Sequence, residues 1–501
     1  MADNHLFDGL FAGNGGTDAL LLTIPGGRSW SYQDVLDESA KVANCLQDNG
    51  VKSGDRIAVQ VQKSAEALIL YIAAVRSGAV FLPLNTAYTR VELAYFIDDS
   101  GPAALVCDSS RESDLNDLAR GVGAALLTLD GNGDGSLMEG ASNQSTHFDN
   151  CHRQANDLAA ILYTSGTTGL SKGAMLSHDN LLSNSQTLAN YWQFTSSDVL
   201  LHALPIFHTH GLFVATNIIL LSQASMIFMP RFDVDIMLEQ LPNATSLMGV
   251  PTFYTRLLAN QQFNQSLVGH IRLFVSGSAP LLAETHIDFE KRTGHRILER
   301  YGMTETNMNT SNPYDGERRA GTVGFPLPGV EVQILNEDSG EPVADGDIGM
   351  IEVRGPNVFI GYWRKPEKTA AELKTDGFFI TGDLGRRDDD GYIHILGREK
   401  DLIISGGFNI YPKQIEVEID DLDGVVESAV FGIPDPDFGE SVAVAMVVDG
   451  TIDWDQLSLV DALKENLAKF KLPRKVFVLD ELPRNTMGKV QKNILRLNYG
   501  A

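Results

Sequence analysis

Residues 159–177 read AAILYTSGTTGLSKGAMLS, and this stretch decides how the rest of the chain is interpreted. Its first five residues are apolar or aromatic, which is typical of a buried strand. The residues that follow supply backbone N–H groups, hydroxyl groups and one ammonium group within a short loop, and such a set can wrap a polyphosphate. The candidate phosphate-binding residues are Thr164, Ser165, Gly166, Thr167, Thr168, Gly169 and Lys172.

This loop differs from the Walker loop of other nucleotide-binding proteins. The Walker loop places Ser or Thr directly after its lysine, where the hydroxyl binds magnesium. Here Gly173 follows Lys172. A polar surface turn without a ligand is the alternative interpretation, but the density of hydrogen-bond donors favours a phosphate loop.

Helical and strand patterns alternate along the chain before this loop. Ser31 with Asp34, and Thr89 with Glu92, are spaced like the capping pairs that begin helices. The predicted elements are a helix from Ser31 to about Gly50, a strand at 56–61, a helix at 64–76, a strand at 79–84, a helix after Thr89 and a strand at 103–107. Such alternation predicts an α/β fold with a parallel or mixed sheet covered by helices. Residues 131–146 are rich in Gly, Ser and Asn and are predicted to form a surface loop, and a helix is predicted from about Ser177.

A second unit is predicted near the end of the chain. It begins after residues 397–401 and has its own pattern, with a helix at 412–419, strands at 427–433 and 441–448, and a helix at 454–470. The length of 501 residues also suggests more than one domain. We therefore expect a large N-terminal domain of mixed sheets packed with helices, residues 1–398, and a small mobile α+β C-terminal domain, residues 399–501.

The composition excludes several classes of function. The chain carries 39 Lys or Arg and 65 Asp or Glu, a formal net charge of −26, so it lacks the basic surface that binds nucleic acid or an anionic membrane. Its apolar runs are shorter than the roughly 20 residues that span a bilayer, and residues 1–16 do not resemble a signal peptide. Cys45, Cys107 and Cys151 are widely spaced, which argues against a disulfide framework and fits a cytoplasmic protein.

Four further motifs follow the loop in order: YGMTET at 301–306, TGD at 381–383, GREKD at 397–401 and PRNTMGK at 483–489. Together with the loop they resemble the signature of the adenylate-forming superfamily, which includes acyl-CoA synthetases, the adenylation modules of peptide synthetases, and firefly luciferase. The resemblance covers nearly the whole chain. It implies the fold of that superfamily and an AMP-forming reaction, in which a carboxylate attacks the α-phosphate of ATP and pyrophosphate leaves.

The resemblance also implies roles for single residues in nucleotide binding and adenylation. Charge that develops on the phosphoryl oxygens requires fixed donors and cations. The superfamily's pattern assigns Glu305 to Mg²⁺, Thr304 to the α-phosphate, and Asp383 with Arg398 to the ribose. The adenine would lie against Ser278, Ala279, Pro280 and Tyr301, and Lys489 would reach the carboxylate and phosphate oxygens.

Two implied sites belong to the second half of the reaction, in which the thiol of CoA replaces AMP. Lys400 occupies the hinge position of the superfamily, about which the small domain would rotate between the two steps. Gly406, Gly407 and Phe408 resemble the loop that meets the pantetheine arm of CoA. A Gly-containing turn without this role is the alternative for the last three residues.

The acid should be held by residues 202–211, 249–257 and 275–280, which include His208, Ser276 and Gly277. Three histidines in the first segment do not indicate a metal site, because no H-E-x-x-H pattern accompanies them. Arg256 in the second segment could clamp the free carboxylate of a dicarboxylic acid, since an unpaired buried charge would be costly. Exposure of Arg256 to solvent is the alternative.

Several stretches, among them ALPIFHTHGLFVATN and ERYGMTETNMNTSNPYDG, are similar to bacterial malonyl-CoA synthetases. That similarity implies malonate as the acid, with ATP, Mg²⁺ and CoA, and malonyl-CoA, AMP and pyrophosphate as products. Methylmalonate, a short monocarboxylate or an aryl acid remain alternatives, as does a nucleotide-binding protein without activity. Related synthetases are regulated by acetylation, so a lysine acetyltransferase acting on Lys489 is a further hypothesis.

Overall fold

The computed structural model describes residues 3–12, 18–164, 171–278, 281, 283–336, 339–398, 403–410, 412–483, 490 and 492–500. Among these residues, no helix combines the length and the apolar character that a bilayer crossing requires.

A six-stranded mixed sheet contains the strand that leads into the phosphate loop. Five of its strands are parallel, and the last is antiparallel to its neighbour. Its inner strands are buried, as expected for a parallel sheet covered on both faces. In spatial order the strands are Ala125–Thr128, Ala104–Cys107, Arg56–Gln60, Val80–Pro83, Leu158–Thr164 and Lys172–Ser177.

A nine-stranded mixed sheet lies beside it and shares its main hydrophobic core. Its six central strands are parallel, and the strands at both ends are antiparallel. In spatial order they are Phe325–Pro326, Asn307–Ser311, Leu298–Met303, Leu273–Ser276, Ser246–Gly249, Val199–His202, Ser225–Phe228, Leu20–Thr23 and Ser29–Ser31. The ends of the parallel strands place side chains at one edge, where ligands of α/β proteins commonly bind.

Helices pack around these two sheets. The helix Ala65–Arg76 is buried along almost its whole length, as expected for a helix whose residues 67–75 are all apolar or aromatic. The segment His210–Thr216 is a wide π-helical turn, a form that occurs often at functional sites. The other α-helices of this part are His5–Leu10, Tyr32–Asp48, Arg90–Ser100, Glu112–Val122, Ser136–Ala141, His178–Tyr191, Asn217–Ser222, Val234–Gln240, Pro251–Ala259, Gln265–Val268, Ala283–Thr293 and Pro366–Glu372, with short 3₁₀ turns at Ser109–Arg111 and Leu241–Asn243.

Two smaller sheets follow along the chain. An antiparallel four-stranded sheet contains Glu331–Leu335, Gly349–Arg354, Phe379–Arg387 and Ile393–Arg398. The C-terminal five-stranded sheet contains Phe408–Ile410, Ile403–Ser405, Gly439–Val448, Val425–Asp435 and Lys475–Val478, and it packs with helices Pro412–Asp420, Gln456–Leu463 and Lys492–Tyr499 and the 3₁₀ turn Lys469–Lys471. Its two apolar clusters contain only residues from Ile403 onward.

The α/β class, the mixed sheets and the small C-terminal α+β unit are confirmed. Both predicted capping pairs form complete capping boxes, and Ser177 caps the helix predicted to begin near it. Residues 399–402, next to the predicted domain boundary, lie outside the described residues, so the division into 1–398 and 399–501 stays a prediction.

Two predictions about elements were wrong, and one strand was not predicted. Residues 131–146 contain the helix Ser136–Ala141, whose Leu137 and Ala141 are buried. The strand that was not predicted, Lys172–Ser177, lies between the predicted phosphate loop and the helix His178–Tyr191. The predicted helix at 454–470 ends at Leu463, although Leu467 and Phe470 continue the apolar spacing.

After Leu463 the chain is no longer α-helical, and the side chain of Lys471 contacts the large unit. Its ammonium group forms an ion pair with Glu92, and the side chains of both residues are only 6% exposed. Glu92 also completes the capping box of Thr89, and the Thr89 hydroxyl donates to the carbonyl of Asn466 at 3.1 Å. One buried ion pair and one hydrogen bond thus join the two units.

We expect Lys471→Met to destabilise the protein by about 3 to 5 kcal/mol, because it leaves the Glu92 carboxylate buried without its cation. Glu92→Gln should restore much of this loss in the double variant, since glutamine preserves the capping box. Urea unfolding of the two single variants and the double variant measures the coupling between the side chains. Strictly additive effects would contradict an energetic role for the pair.

Candidate active site

Thr164 and Lys172 lie opposite each other where two antiparallel strands leave the six-stranded sheet. Strand pairing therefore brings both ends of the predicted phosphate loop together. Ser165, Gly166, Thr167, Thr168 and Gly169 lie outside the described residues, and their role stays a prediction.

Glu305 connects this hairpin to a turn of the nine-stranded sheet. It follows the strand Leu298–Met303, is only 6% exposed, and accepts a hydrogen bond from the Thr164 hydroxyl at 3.3 Å. The hydroxyl of Tyr362 lies 3.0 Å from the same carboxylate oxygen of Glu305 and 2.7 Å from Glu372. Lys172 completes the network, because its Nζ lies 3.2 Å from Glu372 and 4.2 Å from the centre of the Tyr362 ring.

Burial lowers the pKa of Lys172, although Glu305 and Glu372 oppose this shift. The same two carboxylates add to the effect of burial and raise the pKa of Tyr362 well above its usual range. Lys172 is therefore held in place by groups that favour its charged form. Tyr362 and Glu372 were missed by the sequence analysis, since they lie far along the chain and match none of its motifs.

The donor set around Glu305 fits Mg²⁺. No group of three or more His, Cys, Asp or Glu side chains gathers into a metal site within the described residues. Mg²⁺ does not need such a cage, because it usually binds one or two carboxylates together with phosphate oxygens and water. Glu305, beside the ends of the phosphate loop, provides one such carboxylate.

An inner cavity lies between Ser276, Arg300, Tyr301, Thr304 and Asp383, and Ile404 of the C-terminal unit also lines it. The Tyr301 hydroxyl donates to Asp383 at 2.5 Å, so the residues predicted to contact adenine and ribose share one wall. Ser278 lines the same cavity with a left-handed φ of 69°, a conformation that is uncommon for residues other than glycine. Its hydroxyl lies 3.2 Å from Nδ1 of His210.

Some of the predicted nucleotide contacts cannot be described. Ala279 and Pro280 lie outside the described residues. Arg398 pairs with Asp383 through the backbone of neighbouring strands, but its side chain is not described. Lys400 and Lys489 also lie outside the described residues, so the hinge and the mobile lysine remain predictions.

Arg300 was missed by the sequence analysis, although it precedes the motif residue Tyr301. It is only 4% exposed, and its Nε and Nη2 atoms have no hydrogen-bond partner among the described residues. The buried hydroxyl of Ser276 also has none in this part of the chain. Burial lowers the pKa of Arg300 to about 9, so its guanidinium group is still charged at neutral pH.

Gly277 explains how a guanidinium group fits at this position. A Cβ atom at Gly277 would lie 2.3 Å from Cζ of Arg300, so any other residue would displace the arginine. Of the two predicted acid-binding residues, Gly277 thus lies directly beside the guanidinium group of Arg300, and Ser276 lines the same cavity as Arg300.

Three histidines in the segment 202–210 are held in their neutral form. Burial first, and then the charge of Arg300, lower the pKa of His208 to about 4 and that of His210 well below its usual value. Burial also lowers the pKa of His202, whose imidazole contacts Lys63 rather than the inner cavity. His208 lines the inner cavity and two neighbouring ones, so the predicted pocket-wall position lies where the cavities meet.

One of these neighbours is an outer cavity between the large unit and the C-terminal unit. Gly406, Gly407 and Phe408 line it from one side, and Arg231, Phe232 and Arg256 from the other. Arg256 is exposed and does not line the inner cavity that contains Ser276 and Arg300. Its predicted role as the clamp of the acid stays a prediction, and Arg300 is the better-placed arginine.

Known proteins resemble this chain along nearly its whole length. The AMP-binding enzyme family matches residues 12–363, and the C-terminal domain of AMP-binding enzymes matches residues 414–489. A malonate–CoA ligase from Arabidopsis thaliana is 34% identical over 94% of this chain and 84% of its own length. The crystal structure of ATP-bound MatB from Rhodopseudomonas palustris is 57% identical, with a TM-score of 0.80 over 100% of this chain and 99% of that one. A malonyl-CoA ligase in a ternary product complex with methylmalonyl-CoA and AMP is 36% identical, with a TM-score of 0.81 over 94% and 98% of the two chains.

We expect the stability to fall as the pH drops from about 6.5 towards 4, in part because of His208. Its pKa is about 4 in the folded protein and 6.5 in a model peptide, so the unfolded chain takes up a proton that the folded one does not. The contribution of this group is fully present above pH 6.5 and its loss reaches about 3 kcal/mol near pH 4. Urea unfolding at several pH values should therefore give a shallower pH dependence for His208→Asn.

His147 provides the control, because its side chain is 79% exposed. His147→Asn should preserve the pH dependence of the unmodified protein. An unchanged slope in His208→Asn would show that His208 does not stay neutral in the folded state.

Proposed function

Because the chain belongs to the AMP-binding enzyme family, we propose that it is a malonate:CoA ligase. It would convert malonate, ATP and CoA into malonyl-CoA, AMP and pyrophosphate through malonyl-AMP. Methylmalonate is the first alternative acid, because a malonyl-CoA ligase of similar structure holds methylmalonyl-CoA.

The observation that carries the choice of acid is the buried guanidinium group of Arg300, whose Nε and Nη2 atoms have no hydrogen-bond partner among the described residues. A buried charge without a counterion costs several kcal/mol, which a carboxylate of the ligand can offset. Arg300 shares the inner cavity with Tyr301 and Asp383, the predicted nucleotide contacts. An acid that is adenylated there and carries a second carboxylate would place that group against Nε and Nη2 of Arg300, with the Ser276 hydroxyl beside it.

A fatty acid would not use this arrangement. A long alkyl chain requires an apolar pocket, and burial against Arg300 would leave its charge unpaired. A short dicarboxylate satisfies both ends of the cavity, with one carboxylate at the reacting phosphate and the other at the guanidinium group.

In the first step, an oxygen of one malonate carboxylate attacks the α-phosphorus of ATP, and the bond to the β-phosphate breaks as pyrophosphate leaves. Thr164 and Lys172 border the loop that would hold the phosphates, and Thr304 would donate to the α-phosphate. Mg²⁺ held by Glu305 and phosphate oxygens would neutralise part of the charge. Tyr301 and Asp383 would fix the adenosine.

In the second step, the thiol sulfur of CoA attacks the carbonyl carbon of malonyl-AMP. The carbon–oxygen bond to AMP breaks, and the thiol proton is released with AMP. His208 lies where the inner and outer cavities meet, so a thiol that arrives from the outer cavity would reach the acyl group beside it. Gly406, Gly407 and Phe408 would contact the pantetheine arm.

The proposal also includes the cellular location of the enzyme and its regulation. The free thiols of Cys45, Cys107 and Cys151 suit a reducing compartment, and we propose the cytoplasm. Acetylation of Lys489 by a lysine acetyltransferase would remove its charge and stop adenylation.

The test of the proposed function is a panel of acids assayed for AMP release. We expect malonate to be preferred over 3-methylbutyrate, in which an isopropyl group replaces the second carboxylate. Arg300→Met should lower kcat/KM for malonate roughly 30- to 5,000-fold, which corresponds to the 2 to 5 kcal/mol lost when one partner of a buried charge pair is removed. It should not reduce the activity with 3-methylbutyrate.

Arg300→Lys provides the matched control, because it preserves the charge and should retain part of the malonate activity. Equal activity of the unmodified enzyme with both acids would contradict the choice of a dicarboxylate. AMP release with no acid of the panel would support a binding protein without activity.

Lys489→Ala separates the two steps of the reaction. We expect it to reduce malonate-dependent pyrophosphate exchange by about 100-fold or more, as loss of a preorganised donor does. Thioester formation from supplied malonyl-AMP should continue. Lys475→Ala, which removes an exposed lysine of the same unit, should change neither rate, and an equal loss of both steps in Lys489→Ala would contradict its assigned role.

A further inference from the structure

The outer cavity has an unusual charge for this protein. Three basic side chains line it, those of Lys63, Arg231 and Arg256, and no Asp or Glu is among the described residues around it. The whole chain carries a formal charge of −26. Exposed charges are screened beyond about 8 to 10 Å at cellular salt, so these local cations decide which ligand the cavity attracts.

Lys63 is already occupied by contacts inside the protein. Its Nζ lies 2.9 Å from Nδ1 of His202 and donates to the carbonyl of the same residue at 2.8 Å. The ring of Phe228 covers it at 4.1 Å. Lys63 is therefore part of the cavity wall, and among the described lining residues Arg231 and Arg256 are the cations that can bind a ligand.

Arg231 and Arg256 have no ion-pair partner in the part of the chain that the structure describes. Both are exposed. Arg256 lies in the last turn of the helix Pro251–Ala259, and its guanidinium carbon is 6.0 Å from the centre of the Phe232 ring. Phe232 in turn stacks on Phe253 at 4.2 Å, so an aromatic pair supports this arginine at the rim.

The remaining wall of the outer cavity is uncharged. Gly406 and Gly407 have left-handed φ angles of 56° and 81°, and a Cβ atom at Gly407 would lie 3.3 Å from Val250. The glycines thus permit a close approach of the C-terminal unit. Apolar residues from Pro205 to Phe207 continue the wall towards His208 and the inner cavity.

The cavity therefore has a neutral inner end and a cationic outer rim. CoA has the same division, since its pantetheine arm is uncharged and its phosphates lie at the other end. Guanidinium groups bind phosphate oxygens through paired N–H donors. With the thiol at His208, the uncharged arm would occupy the neutral section and the phosphates would emerge at the arginines.

We propose that Arg231 and Arg256 form a binding site for the phosphate groups of CoA. This inference rests on the proposed function as a CoA ligase. Arg256 would then bind CoA, and the second carboxylate of the acid would be bound by Arg300.

The test compares Arg231→Gln, Arg256→Gln and the double variant with the unmodified enzyme. We expect each single variant to raise KM for CoA about 5-fold and the double variant about 25-fold. With pantetheine, which lacks phosphates, the variants and the unmodified enzyme should have the same kcat/KM. Malonate-dependent pyrophosphate exchange, which requires no CoA, should give the same KM for malonate in all four proteins.

Adenosine 3′,5′-bisphosphate provides a second measurement that does not depend on turnover of pantetheine. It should inhibit thioester formation competitively with CoA, and its inhibition constant should rise in the variants in the same order as KM. Arg120→Gln, which removes an exposed arginine from the helix Glu112–Val122, should leave all of these constants unchanged.

Three results would overturn the proposal. An equal loss with pantetheine and CoA would mean that the arginines act on the arm or on the local structure. If Arg256→Gln raised KM for malonate in pyrophosphate exchange, Arg256 would be assigned to binding of the acid and not of CoA. Unchanged constants for CoA would leave both arginines without a role in binding. If the panel finds another acid, the same comparison is made with that acid, so failure of the proposed substrate is distinguished from failure of the phosphate site.

Discussion

A buried positive charge with no counterion among the described residues is the constraint on which the rest of the site depends. Arg300 loses its hydration when the chain folds, and two of its nitrogens find no acceptor among the described residues. A buried charge of this kind calls for a partner, and a bound ligand can provide one. The surroundings limit the cost without removing the charge, because Gly277 provides the space and the neighbouring histidines stay neutral. The site is thus prepared for a ligand that brings the missing negative charge.

The fold brings the other groups of the candidate site from four separate sheets. Two strands of the nine-stranded sheet bring Ser276 and Tyr301, and the hairpin of the six-stranded sheet brings Thr164 and Lys172. The antiparallel sheet adds Asp383, and the C-terminal unit adds Ile404. The ion pair between Glu92 and Lys471 holds this unit against the large one. The neighbouring residue Phe470 stacks on Phe408 at 4.3 Å, which connects that contact to the wall of the outer cavity.

Local signals allowed much of the fold to be predicted from the sequence. Capping pairs such as Ser31 with Asp34 depend only on residues three positions apart, so they could be recognised directly. The strand Lys172–Ser177 was missed because its pairing with Leu158–Thr164 across the loop is not visible in its own residues. The helix predicted at 454–470 followed an apolar spacing that continues after the helix has ended.

Residues of the site could be predicted from the sequence only where they belong to a recognisable motif. Glu305 and Asp383 belong to recognisable motifs, and the structure places both beside the predicted phosphate and nucleotide contacts. Tyr362 and Glu372 interact with Lys172 across about 200 positions, and no local pattern indicates such a contact. Arg300 was overlooked for a different reason: arginine is almost never fully buried unless paired, so a buried arginine beside Tyr301 is not what the sequence alone predicts.

The neutral form of His208 has a consequence for the reaction as well as for stability. Its Nδ1 accepts a hydrogen bond from the backbone N–H of His210 at 3.3 Å. A neutral imidazole carries one proton, so this contact places it on Nε2 and makes that nitrogen a donor. A protonated ring would add a second positive charge beside Arg300 and compete with it for the free carboxylate. Burial thus keeps His208 a neutral donor where the acid, the nucleotide and the thiol would meet, and leaves Arg300 as the charge that selects the acid.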